Sequence, residues 1–237
     1  MSAGPAAQVI EVATPQGPGH FHVSEAGTPV ALLVLGHGAG GGVDAPDLTA
    51  LAHRLPGHGV TVLRYEQPWR VAGRRVAVRP PLLDEAWLAG LEAVLQAVGA
   101  GLPLVVGGRS AGARVACRTA TTLGAAGVVC LSFPLHLPGR PERPRLPELL
   151  APTAPRLVLQ GTRDTFGGAA ELAADLAGQD GAAGVRLVVL DGADHGARVP
   201  KGASPTAAEL RDLVVATTAT FVEELLRGQG IPAPAAR

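Results

Sequence analysis

The chain has 237 residues, 47% of them hydrophobic, with 20 Lys and Arg against 20 Asp and Glu. That length suits one large α/β domain or two small ones, with a sizeable core available, and with aromatics at only 3% the core must be built of Ala, Val and Leu. A formal charge of zero argues against nucleic acid or an acidic membrane as the main partner.

No basic-then-apolar leader opens the sequence, and no apolar run reaches the roughly 18 residues of a membrane span, so a soluble cytoplasmic protein is expected. Cys117 and Cys130 fall in a predicted helix and a predicted strand and read as small core residues, not as a disulfide or metal pair. No His/Cys/Asp cluster has ligand spacing, so neither a metal nor a cofactor is expected.

In chain order, residues 1–7 read as a loose tail. Residues 8–13 and 20–25 alternate in polarity around Pro15-Gln16-Gly17-Pro18-Gly19, which predicts an antiparallel hairpin. Residues 30–35 form a continuous apolar strand, central and buried, followed by a glycine-rich loop over 36–42. Asp44 is the expected cap of a helix over 45–55. A strand at 60–64 leads into an irregular stretch, 65–81, that carries Trp69, Arg70, Arg74, Arg75 and Arg79. Apolar residues at helical spacing mark a helix over 82–98, which Gly99 and Gly101 end.

The apolar run Leu104-Val105-Val106 reads as a buried strand that ends in Gly107-Gly108, followed by Gly108-Arg109-Ser110-Ala111-Gly112 and then a small-residue helical pattern. A further buried strand lies at 127–131. Seven prolines in 132–155 make that segment a structured loop, too small for a lid domain. A strand at 156–160, a helix near 169–177, a strand at 185–190 and a helix over 206–227 complete the chain, with 229–237 as a second loose tail. Alternation of strands and helices from residue 30 onward predicts a mostly parallel central sheet with helices on both faces and an antiparallel N-terminal edge hairpin. With no repeat and no linker, 1–237 reads as a single domain without a large cap.

Gly-x-Ser-x-Gly between a buried strand and a helix is the pattern of a nucleophile elbow. The turn strains its central residue, here Ser110, and glycines two before and two after remove the Cβ atoms that would clash as strand and helix close up. It lifts the hydroxyl above the carboxyl edge of the sheet and aims the first amides of the helix at whatever the serine attacks.

Gly36-His37-Gly38-Ala39-Gly40-Gly41 matches the letter of the dinucleotide fingerprint, with Glu66 as a candidate ribose-binding acid. In that fingerprint the helix starts inside the glycine run. Here Asp44 and Pro46 push the helix start several residues later. The favoured reading is a backbone oxyanion donor: the amide of Ala39, or of Gly38 or Gly40 beside it, would join the amide of Ala111, each donor worth about 2.7–4 kcal/mol of barrier. His37 is expected to brace this loop.

Ser110 needs a base. Of seven histidines only His195 follows the last predicted strand, in a loop placed to swing over the serine. The acid that holds its tautomer should follow a strand between the two. The strand at 127–131 ends in Ser-Phe-Pro, whereas the strand at 156–160 ends in Gly161-Thr162-Arg163-Asp164, so Asp164 is favoured over Asp194, which adjoins His195. The order Ser110, Asp164, His195 is the order of the hydrolase triad.

On Gly36-His37-Gly38-Ala39-Gly40-Gly41-Gly42, Arg64-Tyr65-Glu66-Gln67-Pro68-Trp69 with Ala72-Gly73-Arg74-Arg75, Gly107-Gly108-Arg109-Ser110-Ala111-Gly112, Gly161-Thr162-Arg163-Asp164 and Gly192-Ala193-Asp194-His195, nearly the whole chain resembles the α/β-hydrolase superfamily. More narrowly it is similar to a small cap-less group related to dienelactone hydrolases and to the vertebrate KANL/TEX-type hydrolase-like proteins. Dienelactone hydrolases proper have a cysteine where this chain has Ser110.

The expected function is hydrolysis of a small carboxylic ester or thioester through an acyl-enzyme, with no nucleic-acid or membrane partner. The alternatives are a non-catalytic binding or scaffold protein of the same fold and a dinucleotide binder. Segments 65–81 and 132–155 are expected to wall the pocket. His37, Trp69, Arg70, Arg74, Arg75, Arg109 and Phe133 are the pocket candidates. Arg70, Arg74 and Arg75 are candidates for a substrate carboxylate, and Arg109 is expected to brace the turn. A shallow pocket for short or exposed acyl groups follows from the missing cap.

Overall fold

The computed structural model describes residues 8–98, 101–142 and 144–231. Eight strands form one sheet in the order β1-β2-β4-β3-β5-β6-β7-β8. The edge hairpin, β1 (Gln8–Thr14) and β2 (Gly17–Ser24), joins β4 (Val60–Glu66) antiparallel through β2. β3 (Ala31–Gly36), β5 (Leu104–Arg109), β6 (Gly127–Leu131), β7 (Arg156–Gly161) and β8 (Val185–Leu190) continue it in parallel.

All six residues of β3 are buried, and they divide between two cores. Leu32 and Val34 face one side with Phe21, Tyr65, Trp87 and Val115. Leu33 and Leu35 face the other with Leu48 and Leu51 of α1 (Pro46–Arg54) and Val214 and Phe221 of α7 (Ala207–Gly228). A strand buried on both faces reads as an unbroken apolar run because each alternate residue needs its own core. Gly19 and Gly90 leave the space that the Tyr65 ring fills, and its hydroxyl donates to the Ala86 carbonyl at 3.0 Å.

The chain runs from β3 outward to β4, then crosses back over β3 to β5. The helices after β3 and β5, α1 and α4 (Ala111–Thr119), therefore lie on opposite faces. Their divergence opens a crevice at the carboxyl ends of β3 and β5, the place where open α/β sheets bind ligands.

Several boundaries differ from expectation. α1 starts at Pro46 with Ala45 as its cap residue, and no side chain caps it. Asp44 projects into solvent, because proline already occupies the first helical turn. The stretch at 65–81 is less irregular than its composition suggests: β4 runs on to Glu66, a helical turn, α2 (Pro68–Val71), follows, and α3 (Pro80–Val98) begins at the proline pair. The 132–155 loop carries only α5 (Leu146–Leu150). α6 (Ala169–Leu176) is as expected, and Thr206 caps α7 with a reciprocal Glu209 capping box. Residues 229–231 are not loose. Gln229, Gly230 and Ile231 donate back into the last turn of α7, and Ile231 packs against the core. The remaining predicted tail residues, 1–7 and 232–237, and the helix stop at Gly99 lie outside the described residues.

Cys117 and Cys130 are buried free thiols with Sγ atoms 3.5 Å apart. Their mutual hydrogen bond and burial push the Cys130 thiol up, which makes it a poor nucleophile. No helix among the described residues is long and apolar enough to cross a membrane.

Candidate active site

At the end of β5 the backbone of Ser110 takes φ 51° and ψ −110°, a region that non-glycine residues seldom occupy. The turn closes because no side chain intervenes. A Cβ atom on Gly108 or Gly112 would run into the carbonyl of Gly36 at the end of β3. The first amides of α4 therefore come up directly beneath Ser110, and the loop after β3 crosses close by.

His195 and Asp164 complete the geometry. The Ser110 hydroxyl lies 2.8 Å from His195 Nε2, and His195 Nδ1 lies 2.8 and 3.0 Å from the two oxygens of Asp164. The Asp164 side chain is fully buried and the His195 side chain is partly open. Asp164 Oδ1 accepts the Phe166 N–H at 2.8 Å, and Oδ2 accepts from Gln160 Nε2 at 3.1 Å. Phe166 then stacks on the imidazole, with ring centroids 4.1 Å apart.

The two loops are stitched together. Thr162 N–H donates to the Leu190 carbonyl, Arg163 N–H to the Ala193 carbonyl, and Gly192 N–H to the Thr162 hydroxyl. Asp194, the rival acid, turns away from the imidazole nitrogens. Its Oδ1 accepts the N–H groups of Gly196 and Arg198, which shapes the loop that presents His195.

The glycine loop of residues 36–42 faces this group. Burial pushes the pKa of His37 down, which favours the neutral ring. Gln67 N–H donates to His37 Nε2 at 3.2 Å, and His37 Nδ1–H donates to the Gly38 carbonyl at 2.8 Å, which also accepts from Gly41 N–H at 3.3 Å. In a trans peptide the C=O and the following N–H point in opposite directions. Pinning the Gly38 carbonyl on one side therefore turns the Ala39 N–H to the other. Neither Ala39 N–H nor Ala111 N–H has a protein acceptor among the described residues, and both residues line the cleft that contains Ser110. Gly38 packs against the Ser110 Cβ.

The glycines do not open a helix, since α1 begins only at Pro46, and Glu66 sits beside His20 and His22 on the edge hairpin. Both observations tell against a dinucleotide site there. Among the described residues no group of three His, Cys, Asp or Glu side chains converges in a way that could hold a metal.

The cleft is open, with a volume of about 730 Å³. Of the pocket candidates, Arg70 and Arg109 line it. Arg109 bridges two elements: it pairs with the buried Asp47 of α1 and donates to the His195 carbonyl. Trp69 and Phe133 do not line the cleft. Both are buried, since a nearly aromatic-free chain needs its few large rings to fill the interior, and Trp69 with His37 also lines a small cavity that shares Ala39 and Ala111 with the cleft. His37 lies behind the loop, and Arg74 and Arg75 lie on an exposed turn outside the cleft. Sequence reasoning missed Arg114, Arg145, Arg198, Leu137 and Phe166 in the lining, and Gln160 behind Asp164. Gln160 carried a signal, as a polar residue that closes the apolar run Leu157-Val158-Leu159.

A family model described as alpha/beta hydrolase domain matches residues 29–223. Among solved structures, an alpha-beta serine hydrolase homologue from Coxiella burnetii superposes with a TM-score of 0.72 at 18% identity, over 91% of this chain and 99% of its own. An a/b serine hydrolase without lid from Xanthomonas campestris gives 0.69 at 19% identity, over 98% of each chain. Est1E from Butyrivibrio proteoclasticus gives 0.68 at 15% identity, over 92% of this chain and 99% of its own.

Proposed function

The chain belongs to the alpha/beta hydrolase domain family, and on that premise we propose that it is a serine hydrolase cleaving a carboxylic ester or thioester of a small molecule. The observation that carries this reading is the continuous hydrogen-bonded line from Ser110 Oγ through His195 to buried Asp164. Ser110 Oγ attacks the carbonyl carbon while His195 Nε2 takes its proton. Asp164 holds the tautomer with the proton on Nδ1 and stabilises the imidazolium that forms. The oxyanion develops against the Ala111 and Ala39 amides, which fits their free N–H groups. His195 then gives its proton to the leaving alcohol or thiol as the carbonyl–heteroatom bond breaks. One water, deprotonated by His195, attacks the acyl-enzyme and releases the acid and the free serine.

The test is intact-mass spectrometry after incubation with a fluorophosphonate. One adduct on the wild type and none on Ser110→Ala is the expected result, together with a loss of ester turnover on the order of 10⁴–10⁶-fold in the variant. A folded wild-type protein that takes no adduct would overturn the assignment and favour a non-catalytic member of the family.

A further inference from the structure

The cleft around Ser110 is lined by five arginines and a single carboxylate, Asp44, which itself points to solvent near Arg64. Two of the arginines are accounted for. Arg109 pairs with Asp47, and Arg114 makes a two-pronged pair with Glu148. Arg70, Arg145 and Arg198 form no ion pair with any described residue.

Arg145 is the most informative. It is half-buried, and its one side-chain hydrogen bond is a long 3.4 Å contact to the Pro134 carbonyl. Glu148, close by, is already shared between Arg114 and Arg118. Burial first, then the neighbouring Arg114 charge, push the Arg145 pKa down; Glu148 pulls the other way, and Arg118 adds a last, smaller push down. A guanidinium out of water and among its own sign is destabilising unless an anion completes it. Inside a cleft, that anion can come with a ligand. Arg70, against the Gly42 end of the glycine loop, and Arg198, just past His195, add exposed charge from two other segments. Beside Arg145, Pro134 and Leu137 offer apolar surface to a hydrocarbon spacer.

We propose that this cleft selects esters and thioesters carrying a second, anionic group, a carboxylate or phosphate, which Arg145 binds with Arg70 and Arg198 on the rim. The planar guanidinium fork matches the oxyanion of either group. The proposal rests on the serine-hydrolase reading above and names its substrate class.

Two matched pairs test it. Mono-p-nitrophenyl glutarate and p-nitrophenyl pentanoate differ in one terminal carboxylate on the acyl side. S-acetyl-4′-phosphopantetheine and S-acetylpantetheine differ in one phosphate on the thiol side. In at least one pair the anionic member is expected to have a kcat/KM about tenfold or more above its neutral partner, the worth of a charge-assisted hydrogen-bond pair. That ratio should fall by a similar factor in Arg145→Gln and in Arg70→Gln, recover in part in Arg145→Lys, and stay put in Arg75→Gln, which lies outside the cleft. The responding pair identifies the anion.

Ratios near one in both pairs, or a ratio that Arg145→Gln and Arg70→Gln leave alone, would overturn the proposal. Calorimetric titration of glutarate and of inorganic phosphate into Ser110→Ala separates the two layers. Binding that Arg145→Gln abolishes, with no ester turnover and no fluorophosphonate adduct in the wild type, would keep the anion site and sink the hydrolase. An adduct with turnover but no binding and no preference would do the reverse.

Discussion

His37 shows how much one buried side chain can set. Its neutral ring links the Gln67 amide to the Gly38 carbonyl and so fixes the peptide that carries the Ala39 N–H. Protonation would put a hydrogen on Nε2 facing the Gln67 N–H. Because burial lowers its pKa below the ordinary 6.5, the unfolded chain takes up the proton first as pH falls. This contribution to stability is fully present above pH 6.5 and is lost as pH drops from there towards the folded-state pKa, by at most about 1.4 kcal/mol per pH unit for one linked proton. Urea midpoints at neutral and mildly acidic pH should show a larger acid-side loss in the wild type than in His37→Gln. Equal losses would mean that His37 is not the linked group.

Elements meet at the elbow with almost no tolerance. β3, β5 and α4 approach through Gly36, Gly108 and Gly112, where backbone touches backbone. Gly112→Ala would improve the intrinsic helix propensity of α4, yet its methyl meets the Gly36 carbonyl. Packing should win: the variant is expected to lose about 1–3 kcal/mol of stability in urea unfolding and to label more slowly with the fluorophosphonate, since the Ala111 amide and Ser110 move together. A variant as stable and as reactive as the wild type would show that the two elements can separate freely. A similar logic holds on the other side of the site, where Arg109 ties α1 to the His195 loop through buried Asp47. Breaking such a pair by truncating one partner leaves a buried charge unmatched, typically costing about 3–5 kcal/mol.

At the scale of the molecule, the cleft around Ser110 is walled by loops and by the ends of α1, α2 and α4. Where a lid covers an active site, its opening can limit the rate. None is present among the described residues, so the rate on tributyrin should rise smoothly through the solubility limit, with no jump as droplets form. A sharp rise at that limit would show a moving cover. The same openness leaves Arg70 and Arg198 exposed to water, and under the proposal above charge, more than a tight acyl tunnel, is the means of discrimination.

The sequence alone determined the order of strands and helices, the edge hairpin and the elbow, because these rest on local chemistry: unbroken apolar runs for strands buried on two faces, glycines where backbones touch, a motif whose residues are neighbours in the chain. It also narrowed the candidates for base and acid to His195 and Asp164, since strand ends can be counted along the sequence. Only the tertiary structure decided which side chains share space. Phe133, a pocket candidate by sequence, fills the core, because the demand for large rings inside is a property of the whole chain, while Trp69 is buried and lines a small cavity beside the cleft. Arg74 and Arg75 adjoin Arg70 in sequence but not in the cleft, whereas Arg145 and Arg198 reach it from segments tens of residues away. Gln160 finds Asp164 only once β7 and its loop have folded back on themselves. Periodicity records which face a residue takes, while a site is assembled by contacts between distant segments that no local pattern encodes.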